Sequence, residues 1–218
     1  MKKQIFLFCA ATVLFSLILY GCVSVPNSPN SRFYMPASVN SEQALEKIDI
    51  APGHIIAVGP IGIPACQDRP QIVTINKDGT FSFAQFERWG EPLDSSIARV
   101  IYDDLASLLP AASFQMFPCN FAISFDYQVV VDIIHLDSNL SKDMLFVAQW
   151  SVIDAKNRSL LLTKRSQFNE PVNPHNYFGV SRALGNACFS LSKEIAGSLS
   201  MLSKQPKQLK DASKDKSS

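Results

Sequence analysis

Three runs near the middle of the chain decide the fold: YQVVVDIIHL at residues 127–136, MLFVAQWSVI at 144–153 and LLLTKRSQF at 160–168. They are rich in β-branched and aromatic residues, which is typical of strands. Side chains two residues apart on a strand point to the same face. In the middle run this rule groups Phe146, Ala148, Trp150 and Val152. The connections at 137–143 and 154–158 are polar, so the pattern predicts three consecutive strands in an antiparallel meander.

Further strands are predicted before this meander. Residues 54–63 form one candidate strand, and the runs 71–75 and 80–83 flank Asn-Lys-Asp-Gly at 76–79. A glycine adopts positive φ without steric cost, so Gly79 allows the tight turn of a hairpin. The two flanking runs are therefore expected to pair in antiparallel fashion.

Two amphipathic helices complete the predicted elements. Pro92 and Asp94 open the first helix, which runs to Leu109 and is stopped by Pro110. The second covers 177–202. Apolar residues recur at helical spacing in both: Ile97, Val100, Ile101, Leu105 and Leu108 in the first, and Tyr177, Val180, Leu184, Cys188, Leu191, Ile195 and Leu202 in the second. The expected fold class is α+β, with a mixed, largely antiparallel sheet and two amphipathic helices packed on it.

The first residues predict export and lipid attachment. Two lysines precede an apolar run at 5–19, which is typical of a secretory signal and too short for a stable membrane span. The run ends in Leu-Tyr-Gly-Cys at 19–22, which resembles the bacterial lipobox. We therefore predict that 1–21 is a signal peptide and that Cys22 carries acyl chains such as palmitate. The alternative is an uncleaved signal anchor in which this cysteine is incidental.

The rest of the chain divides into a tether, one domain and a tail. Residues 22–31, the lipidated Cys and its Ser-, Asn- and Pro-rich continuation, are expected to act as a tether. A single domain follows at 32–203. The polar stretch 204–218 has almost nothing to bury and is predicted to be disordered. Val23 stands where an Asp would retain a lipoprotein at the inner membrane, which favours the periplasmic face of the outer membrane.

Composition and motifs argue against several function classes. The net charge is +1 with 18% charged residues, so the chain has no basic signature of a nucleic-acid partner. His54, His135 and His175 stand in no metal-ligand spacing, and we expect neither a metal nor a cofactor. No nucleophile elbow, P-loop or dinucleotide motif occurs, so an enzyme is not expected. The Asp103–Asp104 pair is interpreted as part of a solvated helix face.

Three cysteines follow the attachment residue. Cys188 lies on the apolar stripe of its helix, which predicts a small buried residue. Cys66 and Cys119 both lie in proline-flanked turns. An oxidising envelope permits them to pair, although the sequence alone does not fix the connectivity.

The segment Arg-Trp-Gly-Glu-Pro-Leu at 88–93 has two interpretations. Trp and Arg dominate binding hot spots, so it is a candidate docking surface. Alternatively, Trp89 staples the entrance of the first helix to the core while the neighbouring charges face water.

Several of these segments together resemble the PqiC-like family of ABC-type transport auxiliary lipoproteins. The similarity rests on Ser-Arg-Phe-Tyr at 31–34, Val-Gly-Pro at 58–60, Asp-Arg-Pro-Gln-Ile-Val at 68–73, and residues 88–93. The last matches an Arg-Trp-Ala-Glu-Pro-Leu motif, with Gly90 in place of Ala. Cys66–Gln67 stands where the family has Tyr-Leu. The resemblance covers about 31–202.

The resemblance implies a non-enzymatic outer-membrane lipoprotein of an intermembrane (phospho)lipid transport system. Its partners would be an MCE-type periplasmic channel protein and an inner-membrane transport component, and homo-oligomerisation is left open. The alternative is a structural or assembly lipoprotein of another envelope complex, with no direct role in lipid transport. The candidate partner-binding residues are Arg69, Trp89 and Glu91. We expect the hairpin to bring them together, with an ion pair between Arg69 and Glu91 as one consequence.

Overall fold

The computed structural model describes residues 29–36, 47–118 and 124–204. The predicted signal peptide, the acylated Cys22, most of the tether, Cys119 and the predicted tail after Lys204 lie outside these ranges. One compact unit begins at Ser31. Its elements are β1 (Arg32–Tyr34), β2 (Ile55–Gly62), β3 (Gln71–Ile75), β4 (Phe81–Trp89), α1 (Leu93–Leu108), β5 (Ser113–Met116), β6 (Tyr127–Ser138), β7 (Asp143–Asp154), β8 (Ser159–Pro171) and α2 (Tyr177–Lys204). The predicted α+β class is confirmed.

The larger sheet has five strands in the order β5-β2-β6-β7-β8. β6, β7 and β8 form the predicted antiparallel meander, with register partners such as Val131–Trp150 and Trp150–Lys164. β2 runs parallel to both β5 and β6. The face of β7 that the alternation grouped together is fully buried: Phe146, Ala148, Trp150 and Val152.

The smaller sheet has three strands in the order β1-β4-β3. β3 and β4 form the predicted hairpin, and Gly79 at its turn has φ of 83°. β1 pairs with the other edge of β4 in parallel. We expected one sheet and predicted neither β1 nor β5. Both are very short and pair in parallel with distant segments, so no local pattern reveals them.

Both helices begin and end close to the predicted residues. All five residues of the first predicted stripe are buried, and so is Cys188. Tyr177 and Leu202, at the two ends of the second stripe, are half-buried. Within the described ranges, neither helix is both long and apolar enough to cross a membrane.

One residue of α1 contradicts the sequence interpretation. Asp103 is exposed as expected, but Asp104 is fully buried and accepts a hydrogen bond from Ser192 Oγ of α2 at 3.3 Å. Asp104 lies three residues after Ile101 and therefore falls on the apolar stripe. The interpretation of the pair as a solvated face was wrong for this residue.

Candidate partner-binding groove

The two sequence motifs meet at the end of the smaller sheet. Gln71 and Arg88 are register partners in the β3–β4 hairpin, and the backbone N–H of Trp89 donates to the carbonyl of Pro70 at 2.8 Å. The turn that carries Arg69 therefore lies beside the segment that leads into α1. Gly90 N–H donates to the Tyr34 carbonyl at 2.8 Å, which adds the end of β1. Three segments that are distant in sequence converge here.

A half-open groove with a volume of about 330 Å³ lies where these segments converge, lined by residues 68–70 and 89–93. Asp68 and Gly90 are exposed, whereas Arg69 and Glu91 are half-buried. All three candidate partner-binding residues therefore line one groove, although they come from two separate turns.

The expected ion pair between Arg69 and Glu91 is not formed. Glu91 is instead held by Arg99 of α1, with Nη2–Oε2 at 2.9 Å and Nε–Oε1 at 3.3 Å. The guanidinium of Arg69 lies over the ring of Phe83, with Cζ 4.2 Å from the ring centroid. Arg99 lies six residues after the first residue of the helix, and its long side chain reaches back to Glu91, two residues before the helix. The expected pair of Glu91 with Arg69 did not take Arg99 into account.

Trp89 is a core residue rather than an exposed anchor. Its side chain is only 5% exposed and packs in the same cluster as Leu93 and Ile97 at the start of α1. This agrees with the interpretation that Trp89 staples the helix entrance to the core. Any docking surface is therefore formed by the groove around Trp89, while Trp89 fixes its shape.

Three buried side-chain N–H groups in the described part of the chain lack a hydrogen-bond partner: Arg69 Nε, Arg88 Nε and Trp89 Nε1. All three belong to the two motifs. A buried donor without an acceptor costs about 1–3 kcal/mol, so native structures rarely leave several together. Arg88 belongs to the motif at 88–93 but was not predicted as a site residue, because the sequence does not show which donors are left without partners.

The start of the domain is fixed beside this groove by a buried carboxylate. Glu87 of β4 accepts hydrogen bonds from Arg32 Nε at 3.0 Å and from Tyr34 Oη at 2.7 Å. Burial acts to raise the pKa of the Glu87 carboxyl, but these hydrogen bonds and the Arg32 charge outweigh it and hold the pKa below its ordinary value. This network attaches β1 to the sheet, so the chain leading from the predicted anchor enters the domain next to the groove.

The remaining candidate residues are dispersed. His54 Nδ1 lies 3.6 Å from Asp126 Oδ2, and His135 Nδ1 lies 3.3 Å from Asp137 Oδ2. The two pairs are at separate places in the fold. In the described ranges, no three His, Cys, Asp or Glu side chains are grouped so that they could hold a metal ion. Cys66 is a half-buried free thiol, and the pairing with Cys119 that the sequence left open involves a residue outside the described ranges.

Two crystal structures have the same α+β fold. One is of an uncharacterized protein, with a TM-score of 0.61 and 14% identity over 79% of this chain and 100% of the other. The other is of a protein from Xanthomonas campestris, with a TM-score of 0.60 and 12% identity over 78% of this chain and 95% of the other. At these identities the similarity shows the fold alone. No curated protein sequence matches the chain.

The chain belongs to the family described as the ABC-type transport auxiliary lipoprotein component, which matches residues 38–196. This match confirms the resemblance that the sequence motifs indicated. The protein is therefore a transport auxiliary lipoprotein, and the match includes both turns that line the groove.

Proposed function

We propose that this protein is the outer-membrane-anchored lipoprotein of an intermembrane (phospho)lipid transport system, and that it docks an MCE- or ABC-type transporter at the outer membrane. Membership of the transport auxiliary family carries the proposal, because members assist a transporter. A binding role is compatible with the sequence, which predicts no active site. It is also compatible with the position of the groove.

The proposed anchor is Cys22, acylated after removal of residues 1–21. One acyl chain holds a protein on a bilayer only marginally, whereas two or three hold it stably. Mass spectrometry of the mature N-terminus should find a peptide that starts with the modified cysteine. A membrane-bound protein that retains residues 1–21, or a Cys22→Ser form that is still acylated, would refute this assignment.

The proposed docking site is the groove, with Arg69 and Glu91 at its rim. The Glu91–Arg99 pair is partly solvated, so it contributes only about 0–1 kcal/mol to folding. The contact of Arg69 with the exposed Phe83 ring contributes about 0.5–1 kcal/mol. A hot-spot residue at an interface contributes about 2 kcal/mol or more to binding, which is a loss of roughly 30-fold on truncation. Truncating either residue should therefore weaken binding by more free energy than it removes from the stability of the fold.

The experiment is affinity capture of the full lipoprotein from envelope fractions, followed by mass spectrometry. Arg69→Ala and Glu91→Ala should lose an MCE- or ABC-type component that the unchanged protein captures. Arg165→Ala is the matched control, because Arg165 is an exposed arginine on β8, in the other sheet. Melting temperatures are measured on the same preparations. Capture of a different envelope complex by all four proteins would favour the assembly role instead.

A further inference from the structure

The outward face of the smaller sheet carries a group of exposed aromatic rings. In β3, Gln71, Val73 and Ile75 alternate and so share one face of the strand. Their register partners on β4 are Arg88, Phe83 and Phe81, and the register shifts between Gln71 and Val73. Across this irregularity the buried positions of β4 change from Ala84 to Glu87 and Trp89, so Arg88 follows Phe81 and Phe83 on the less buried face. Phe33 of β1 is the register partner of Arg88 on the other side of β4 and extends the same face. The opposite face carries Glu87 and the buried Trp89.

The exposure of these rings is high for large apolar side chains. Phe33 is 67% exposed, Phe83 50% and Phe81 44%. Scattered single apolar residues on a surface need no explanation, but three exposed phenylalanines on one face of a three-stranded sheet form a candidate contact surface.

Two arginines accompany the rings. Arg69 lies over Phe83 with its Cζ 4.2 Å from the ring centroid, and Arg88 shares the face with Phe33 and Phe83. The Nε of each arginine is buried without a hydrogen-bond acceptor in the described part of the chain. An external ligand does not reach these buried Nε atoms, so an anion would bind each guanidinium through its Nη atoms. Exposed aromatic rings beside two guanidinium groups fit a partner that is apolar inside and rich in anionic oxygen at its boundary. The lipid headgroup layer has this chemistry.

The path of the chain favours the lipid surface over other partners of this chemistry. Phe33 lies only eleven residues after Cys22. A flexible tether of that length has a root-mean-square span of about 18 Å, so it holds β1 at a high effective concentration near the bilayer. Glu87 fixes β1 to β4 and so carries this proximity to the whole face.

We propose that the face formed by Phe33, Phe81, Phe83, Arg69 and Arg88 rests on the lipid headgroup layer, with its rings among the headgroups and its guanidinium groups on lipid phosphates. The proposal rests on the proposed anchor at Cys22. Arg69 lies where this face meets the groove, so contact with the membrane sets the groove at the bilayer surface. A partner docked there would be presented directly to lipid.

The test uses the complete lipoprotein reconstituted in vesicles of phosphatidylethanolamine and phosphatidylglycerol, with and without brominated acyl chains. Phe81→Trp provides a fluorescent reporter on the face. Leu160→Trp is the matched control, because Leu160 is 63% exposed on β8. The native Trp89 and Trp150 are buried, and the unchanged protein gives their background. Phe81→Trp should be quenched by bromolipid at least threefold more strongly than Leu160→Trp, with a shift of its emission to the blue.

Vesicle flotation separates failure of the anchor from failure of this inference. Unchanged protein that does not float refutes the lipid anchor. Protein that floats while position 81 is quenched no more than position 160 overturns the membrane face and leaves the anchor standing, and it points to a protein as the occupant. Phe83→Trp repeats the test if Phe81→Trp does not fold. Arg69→Gln should lower quenching at position 81 in phosphatidylglycerol vesicles, and an unchanged value would remove Arg69 from the contact.

Discussion

The two tryptophans of this protein occupy two different kinds of environment. Trp150 lies on β7, against which α2 packs, is fully buried, and donates its indole N–H to Ser166 Oγ at 3.0 Å. Trp89 ends β4 in the smaller sheet, is almost as deeply buried, and has an indole N–H without an acceptor in the described residues. The larger sheet satisfies its polar groups internally. In the described residues, the smaller sheet and the turn before it leave three buried donors without acceptors and three phenylalanine rings exposed.

The largest expected difference is between the two Trp→Phe variants. Trp150→Phe removes a satisfied hydrogen bond and leaves a cavity, so it should lower the free energy of unfolding by about 2–3 kcal/mol. Trp89→Phe also leaves a cavity but removes a buried donor that has no partner, so its loss should be at least about 1 kcal/mol smaller. Urea unfolding of both variants measures the difference. Equal losses would show that the Trp89 donor is satisfied in solution.

The next prediction concerns the carboxylate that fixes β1. Glu87→Gln should lower the free energy of unfolding at pH 7 by about 1–2 kcal/mol, because charge-assisted hydrogen bonds from Arg32 and Tyr34 are weakened. The pKa of Glu87 in the folded protein is lowered from 4.5. Its contribution is therefore fully present above that value and is lost as the pH falls through the folded-state pKa.

The measurement for Glu87→Gln is a series of denaturant titrations between pH 7 and pH 3. The difference between wild type and variant should shrink as the pH falls below about 4.5. Asp126 also has a lowered pKa and continues to contribute in both proteins, so only the difference is diagnostic. A difference that stays constant down to pH 3 would contradict the assignment of the low pKa to Glu87.

The hairpin, the meander and both helices could be predicted from the sequence because local patterns specify them. Asn76–Gly79 between two alternating runs indicates a turn whatever surrounds it, and the stripe on α1 indicates which side is buried. β1 and β5 carry no such pattern, since three or four residues have no measurable periodicity. Their positions depend on parallel pairing with segments far away in sequence.

The candidate site was only partly predictable for a related reason. The hairpin geometry brings the Arg69 turn to Trp89, and the sequence indicated this. The choice of partner for Glu91 depends on side-chain reach from α1, which favoured Arg99. The role of Phe83 was missed because alternation in β4 shows that Phe81 and Phe83 share a face but does not show which face the core covers.

A smaller effect is expected at Gly90, where the family motif has Ala. A Cβ at this position would lie 3.1 Å from Met35 Sδ and 3.5 Å from the Tyr34 carbonyl oxygen. Met35 is 46% exposed, and its unbranched thioether side chain can change rotamer to make room. Gly90→Ala should therefore change the free energy of unfolding by less than about 1 kcal/mol, since reduced freedom of the unfolded chain offsets the close contact. Thermal melts measure this change in stability. A loss above 2 kcal/mol would mean that Met35 and the Tyr34 carbonyl cannot move to accommodate the added methyl group.

The smallest expected effect decides whether Arg69 serves folding or binding. Its contact with the Phe83 ring is half-exposed, and cation–π contacts of that kind contribute about 0.5–1 kcal/mol. A double-mutant cycle with Arg69→Ala, Phe83→Ala and the double variant isolates this coupling, because the two side chains touch each other. We expect a coupling energy below about 1 kcal/mol and nearly unchanged melting temperatures. Such a result leaves the guanidinium free to bind an external anion or partner at little cost to the fold. A coupling above 2 kcal/mol would instead make Arg69 a structural residue of the smaller sheet, as Glu87 is.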